Sequence, residues 1–199
     1  MVRFDSQPDI RIAVVLGTSR PGSYTSKALG LLVDELQQQG IPFDVIDPGT
    51  LTLVFPGTGG PDDAVRAMSE TVKRATGVII ATPEYHGTFP AALKLIIENL
   101  EFPSALAGKP MALVGVAAGQ IGAIKSLEHL RSVCSHVGAI VLPGPVSVAK
   151  VQTVFDKDGS CTDPGIERRI RGVVTNLVHY IHDSACPKAA LEAAVRGDS

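Results

Sequence analysis

Residues 11–29 read RIAVVLGTSRPGSYTSKAL, an apolar run followed without a gap by a polar loop and then by helical spacing. The run at 11–17 is too continuously apolar to face water on one side, which is typical of a parallel strand covered on both faces. From Leu29 onward, apolar residues recur at i, i+3, i+4 and i+7 and predict an amphipathic helix. The stretch therefore predicts a strand–loop–helix unit of an α/β domain.

The same alternation continues along the chain. Further apolar runs predict strands at 43–47, 77–83, 111–117 and 139–144. Helical spacing falls at 65–72, 93–100, 124–137 and 166–181. Five strands alternating with five helices predict a three-layer α/β/α sandwich, with a five-stranded parallel sheet for which we expect the order 2-1-3-4-5.

Length, charge and cysteines limit the function classes. A chain of 199 residues fits one domain over 1–199, in which we expect a flexible N-terminus at 1–9 and a short extra helix in a C-terminal extension at 183–199. A net charge of −2 gives no basic surface for nucleic acid or an anionic membrane, and neither a membrane span nor a secretory signal is recognisable. Three cysteines without C-x-x-C spacing favour reduced thiols in a cytoplasmic protein.

The loop after the first strand excludes two nucleotide motifs. Gly17 and Gly22 have the spacing that begins a P-loop, but Ser23 and Tyr24 stand where Lys and Ser/Thr are required, and G-x-G-x-x-G is absent. What remains is Arg20 among hydroxyl residues at the start of a helix. Two interpretations stay open: an anion site built on the helix N-terminus, or a turn capped by Ser23 with Gly22 supplying a permissive backbone angle.

Two further loops follow the third and fourth strands. In TPEYHGTFPAALK, residues 82–94, Pro83 ends the strand and Gly87 allows a close backbone approach. Such a turn suits a flat heterocycle, or it is a plain strand-to-helix connection. In AAGQIGAIKS, residues 117–126, small residues leave room for a ring system or simply pack closely. In the order 2-1-3-4-5 these loops and the first one meet at the carboxyl edge of the sheet.

Together these stretches resemble the NADPH-dependent FMN reductase family of flavodoxin-like proteins, which includes quinone-, chromate- and azo-reducing members. The family's G-S-x-R-x-x-S-x-N corresponds to GTSRPGSYT, and its P-E-Y-N-x-x-x-P-x-x-L-K to PEYHGTFPAALK. Its glycine-rich loop and L-R helix look like AAGQIGAIKSLEHLR. The resemblance covers residues 11–148 and implies a flavodoxin-like fold.

The resemblance also implies the cofactors, FMN and NADPH (or NADH), and the residues that hold FMN. The phosphate would lie at the first loop, the isoalloxazine edge at the P-E-Y turn, largely on its backbone, and the ring or ribityl chain near the third loop. The residues matched are Thr18, Arg20, Ser23, Tyr24, Thr25, Pro83, Glu84, Tyr85, His86, Gly87, Ala117 and Gly119. Because the cofactor carries the chemistry, no catalytic side chain and no metal is expected. His86 replaces the usual Asn with a bulkier imidazole.

The expected function is an FMN-dependent NAD(P)H oxidoreductase that reduces a small-molecule electron acceptor: a quinone, an azo compound, a metal oxyanion or free flavin. The resemblance implies a homodimer or homotetramer. One alternative is a flavodoxin-type carrier that serves protein partners, against which the modest net charge counts. Another is a regulatory module that has kept the fold and lost flavin binding.

Overall fold

The computed structural model describes residues 10–59 and 63–196, so the N-terminus expected to be flexible, at 1–9, lies outside the described residues. Its strands are β1 (Ile12–Leu16), β2 (Phe43–Ile46), β3 (Gly77–Pro83), β4 (Pro110–Val116), β5 (Ile140–Val141) and β6 (Val146–Val148). All pair in parallel in the order β2-β1-β3-β4-β5, and β6 also pairs with β4. The predicted strand order is confirmed.

The predicted fifth strand is replaced by two short strands, β5 and β6, and β6 lies beyond the predicted end at residue 144. Ile140 pairs with Pro110 near the start of β4, whereas Val146 pairs with Val114 nearer its end. Two prolines, at positions 143 and 145, cannot donate to the ladder, and the glycine between them has a positive φ of 77°. The predicted strand at 139–144 is therefore β5 alone, and the chain returns to the sheet as β6.

The helices are α1 (Tyr24–Gln38), α2 (Asp63–Arg74), α3 (Ala91–Glu98), α4 (Ile124–His136), α5 (Pro164–Tyr180) and α6 (Cys186–Arg196). A π-helical turn, Ile181–Ala185, joins α5 to α6, and α6 falls in the predicted C-terminal extension. In the part of the chain that the structure describes, every helix is too short or too polar to span a bilayer.

The sheet separates two apolar cores because successive strand residues face opposite sides. Ile12 and Val14 of β1 pack on the side of α1 and α5, whereas Ala13 and Val15 pack on the side of α2, α3 and α4. Both faces of the central strands are thus covered, as the continuously apolar runs predict. The result is the expected three-layer α/β/α sandwich.

Gly17 brings the first loop against the end of β3. Its N–H donates to the carbonyl of Ala81 at 2.7 Å, and a Cβ at this position would lie 2.7 Å from that same oxygen. Only a residue without a side chain fits this approach without displacing the backbone. The loop after β1 therefore starts directly beside the loop after β3.

Candidate functional site

A cleft of about 430 Å³ opens at the carboxyl edge of the sheet. It is lined by residues 20–25 of the first loop, 83–85 at the end of β3, 116–118 at the end of β4, and Val151. The carboxyl edge is where ligands bind in open α/β sheets. The three loops singled out in the sequence thus meet around one cavity.

The first loop combines a helix cap with unused donors. Ser23 caps α1, since its Oγ accepts from the Ser26 N–H at 3.1 Å, and Gly22 has a positive φ of 62°. The capped turn foreseen from the sequence is therefore present. It satisfies only one of the free N–H groups at the helix start: within residues 10–59 and 63–196, the N–H groups of Tyr24 and Thr25 have no acceptor. Capping and anion binding are thus compatible here.

Arg20 and Thr18 complete this end of the cleft. The Arg20 side chain is exposed, and among the described residues its guanidinium has no acceptor. Thr18 is buried, and its Oγ1 accepts from the Arg20 N–H at 3.2 Å and lies 3.3 Å from the Tyr85 hydroxyl. Thr18 therefore links the first loop to the turn after β3, while the positive charge of Arg20 stays available.

The turn after β3 is closed on itself. Tyr85 N–H donates to the Thr88 carbonyl at 2.9 Å, and Thr88 N–H donates back to the Tyr85 carbonyl at 3.1 Å. His86 and Gly87 have positive φ values, 51° and 78°, the pattern of a type I′ turn. Asn is well tolerated in this conformation, which gives a physical reason for Asn in the family motif and some strain for His86.

The side chain of Glu84, which lines the cleft, is held in place by α4. Its Oε2 accepts from the Ser126 N–H at 3.1 Å, and the buried Ser126 hydroxyl donates to the Pro83 carbonyl at 3.0 Å. A carboxylate at a helix N-terminus is favourable, so Glu84 and α4 fix one another. No local pattern predicts this contact, because the two residues lie 42 positions apart.

The third loop is braced by β6. Ala117 N–H donates to the Val148 carbonyl at 2.9 Å, and Val151 N–H donates to the Ala117 carbonyl at 3.1 Å. Val151 is buried and forms a wall of the cleft. Sequence reasoning missed it because the predicted fifth strand ended too early; extending that strand to Val148 would have put Val151 at the same edge.

Most of the predicted site residues line the cleft: Arg20, Ser23, Tyr24, Thr25, Pro83, Glu84, Tyr85 and Ala117. Four do not. Thr18 lies buried beside the cleft, His86 and Gly87 form the tip of the turn, and Gly119 lies beyond the lining residues of the third loop. Pro21, Gly22 and Ala118 line it from within the two predicted loops, and Val116 lines it from the predicted fourth strand. Among the lining residues, Val151 alone falls outside every predicted stretch.

Groups for other chemistry are few. In the described ranges, no cluster of three or more His, Cys, Asp or Glu side chains could hold a metal ion. Burial raises the pKa of the Cys134 thiol to about 12, so it is not a thiolate nucleophile at neutral pH.

Comparisons with known proteins agree with this geometry. The model of the family NADPH-dependent FMN reductase matches residues 10–153. A 2-hydroxy-1,4-benzoquinone reductase from a Burkholderia species is 27% identical over 179 residues, covering 87% of this chain and 97% of the relative. An NAD(P)H-dependent FMN reductase from Pseudomonas aeruginosa is 29% identical over 167 residues, covering 78% and 86%. An FMN-dependent NADPH-azoreductase from Staphylococcus aureus is 24% identical over 180 residues, covering 86% and 95%.

Solved structures share the fold. The flavoenzyme NAD(P)H:(acceptor) oxidoreductase FerB from Paracoccus denitrificans superposes with a TM-score of 0.74 at 23% identity, covering 87% of this chain and 98% of FerB. A flavodoxin from the domain Archaea superposes with a TM-score of 0.60 at 10% identity, covering 86% and 99%. The predicted flavodoxin-like fold is confirmed. Since the family model spans well over half of the sequence, this chain belongs to the NADPH-dependent FMN reductase family.

Proposed function

We propose that this protein binds FMN in the cleft and passes electrons from NAD(P)H to small-molecule acceptors. The observation that carries the proposal is the set of unused donors at one end of the cleft: the N–H groups of Tyr24 and Thr25, and the guanidinium of Arg20. Backbone N–H groups at a helix start and an arginine together suit a phosphomonoester.

The rest of the cleft fits the remainder of FMN. Pro83, Val116, Ala117 and Val151 give it largely apolar walls, as a ring system requires. Its volume of about 430 Å³ lies within the range of about 300–1,000 Å³ that small-molecule sites occupy. Ala117 has a small side chain, which leaves space for a ring, and its backbone is held in place by a hydrogen bond to β6.

Bound FMN would supply hydride acceptance from the nicotinamide and delivery of electrons to a second substrate. The chain's own residues bind and orient. Arg20 and the start of α1 would hold the phosphate, and the turn at 85–88, closed by its own hydrogen bonds, would support the ring edge with a fixed shape. Thr18 fixes the spacing between these two ends through its contact with Tyr85. No side chain is needed as nucleophile or general base.

The acceptors we propose are quinones and azo compounds, with metal oxyanions and free flavin as further candidates. The relatives support this choice: one is named a hydroxybenzoquinone reductase, one an FMN reductase and one an azoreductase. Relatives of these kinds also favour an enzyme over a flavodoxin-type carrier.

We further propose a cytoplasmic homodimer or homotetramer. Phe55 and Phe102 are 69% and 99% exposed, which is unusual for phenylalanine and supports burial against another subunit. Cys134, Cys161 and Cys186 are free, in keeping with a reducing compartment. Light scattering after size-exclusion chromatography measures the oligomeric state directly.

The test of the function is flavin absorbance followed by turnover. We expect purified or FMN-reconstituted protein to show flavin absorbance bands and to oxidise NADPH or NADH steadily with a quinone. A colourless protein that cannot be reconstituted with FMN contradicts the proposal. Flavin binding without turnover by either nicotinamide supports the carrier alternative instead.

A further inference from the structure

Basic side chains from two elements gather on the turn after β3. His86 belongs to the turn itself, and the Lys125 Cδ of α4 lies 3.7 Å from the position that a Cβ on Gly87 would occupy. His129, also on α4, has its Nδ1 3.0 Å from the Thr88 Oγ1. All three side chains are exposed. We call His86, Lys125 and His129 the basic rim.

Within residues 10–59 and 63–196, no carboxylate forms an ion pair with a member of the basic rim. Glu84, at the neighbouring strand end, keeps its negative charge, and its Oε2 accepts from the N–H of Ser126, the residue after Lys125. Glu128 is exposed on α4, and in the described part of the chain no ion pair joins it to a member of the rim. On α3, Lys94 and Glu98 pair with each other. Lys125 is therefore a cation that makes no ion pair with any described residue, and the two histidines add ring N–H groups beside it.

Exposed apolar side chains are chain neighbours of the basic rim or belong to the loop that leads into α4. Tyr85 is 39% exposed and lines the cleft, and Ile124, 45% exposed, immediately precedes Lys125. Ile121, in the loop after β4, is 74% exposed. A flat conjugated molecule at the mouth of the cleft would find apolar contacts on one side and a positive charge beside them.

We propose that the basic rim makes this enzyme prefer anionic electron acceptors: flat, conjugated molecules bearing a sulfonate, carboxylate or enolate group. This inference rests on the proposed function and names the substrate class of the same site. The physical reason is that a free charge at the mouth of a cleft raises the capture of oppositely charged ligands and acts on kcat/KM more than on the chemical step.

NADPH is also an anion, so the donor and the acceptor could both use the same charge. The two are separable because each has its own kcat/KM, measured with the other substrate saturating. The inference assigns the rim to the acceptor. A loss of kcat/KM confined to NADPH in a Lys125 variant would overturn it.

The experiment uses the FMN-loaded enzyme with NADPH and a matched pair of acceptors, 1,2-naphthoquinone and 1,2-naphthoquinone-4-sulfonate. The quantity measured is the ratio of kcat/KM for the sulfonate to that for the neutral quinone. We expect Lys125→Gln to lower this ratio about fivefold, because one unit charge acts over a few ångströms through partly solvated surface. Lys125→Arg, which keeps the positive charge, should show the same ratio of kcat/KM values as the wild type.

Lys157→Gln is the matched control, since it removes an exposed lysine from the segment that contacts α1, on the opposite side of the sheet. It should leave the ratio as in the wild type, and added salt should lower the ratio in the wild type more than in Lys125→Gln. An unchanged ratio in Lys125→Gln overturns the inference while leaving the proposed function intact. A wild-type enzyme that reduces neither quinone contradicts the proposed function itself.

Discussion

The two ends of the cleft use their polar groups in opposite ways. In the first loop, the N–H groups of Tyr24 and Thr25 and the side chain of Arg20 have no partner among the described residues. In the turn after β3, Tyr85 and Thr88 satisfy each other. Unused donors give a loop the capacity to bind, whereas mutual hydrogen bonds give a turn a fixed shape. The first end therefore has donors free for a ligand, and the second end has a fixed shape.

The largest loss of stability should come from a substitution at Gly17, where the first loop begins. In Gly17→Ala, the new methyl group would lie 2.7 Å from the Ala81 oxygen and 3.0 Å from the Thr82 Cα. We expect a loss of about 2–3 kcal/mol in the free energy of unfolding, since overpacking against backbone forces a shift. Urea denaturation of the flavin-free protein measures it. Gly30→Ala is the matched control and should not destabilise the fold, because outside its own helix backbone and chain neighbours no atom lies within 4 Å of the new methyl group.

A smaller loss of stability should follow from removing a hydrogen bond between α4 and the end of β3. Ser126→Ala removes the hydrogen bond from the buried Ser126 hydroxyl to the Pro83 carbonyl. We expect a loss of about 1 kcal/mol in stability, because the Thr82 hydroxyl still donates to that carbonyl. FMN affinity should fall as well, since the strand end at Pro83 loses one of its hydrogen bonds from α4, although the Ser126 N–H still donates to Glu84. A stability loss with unchanged FMN affinity would mean that positioning by α4 does not matter for binding.

The smallest effect concerns the tip of the turn. His86→Asn should raise the free energy of unfolding by about 0.5 kcal/mol, because Asn tolerates a positive φ better than His does. Thermal or urea denaturation of both forms measures the difference. Destabilisation instead would show that the imidazole makes a favourable contact outweighing its backbone strain.

Much of the fold could be predicted because it rests on local patterns. Continuous apolar runs identified β1, β3 and β4, and helical spacing identified five of the six helices. The pattern does not predict the break between β5 and β6, because Pro143 and Gly144 are as typical of a strand that ends as of one that is interrupted. The pattern carries no information on whether the chain returns to the sheet.

The candidate site was predictable where a short motif carries it and not where distant residues meet. The first loop and the P-E-Y turn could be predicted because each is a contiguous stretch of the sequence. The contact of Glu84 with Ser126 and the wall formed by Val151 depend on tertiary packing, which sequence spacing does not reveal. The free state of Arg20 is likewise a property of the fold, since only the structure shows that no described carboxylate reaches it.

The most direct test of the central claim, that the first loop holds the FMN phosphate, compares FMN with riboflavin. Flavin titrations are followed by fluorescence in the wild type, in Arg20→Ala and in Arg168→Ala, an exposed arginine on α5 that serves as the control. We predict that Arg20→Ala weakens FMN binding about tenfold, as expected for the loss of a charged hydrogen bond of about 1.5 kcal/mol, and leaves riboflavin binding unchanged. Equal losses for both flavins, or no loss for FMN, would contradict the assignment of the phosphate to this loop.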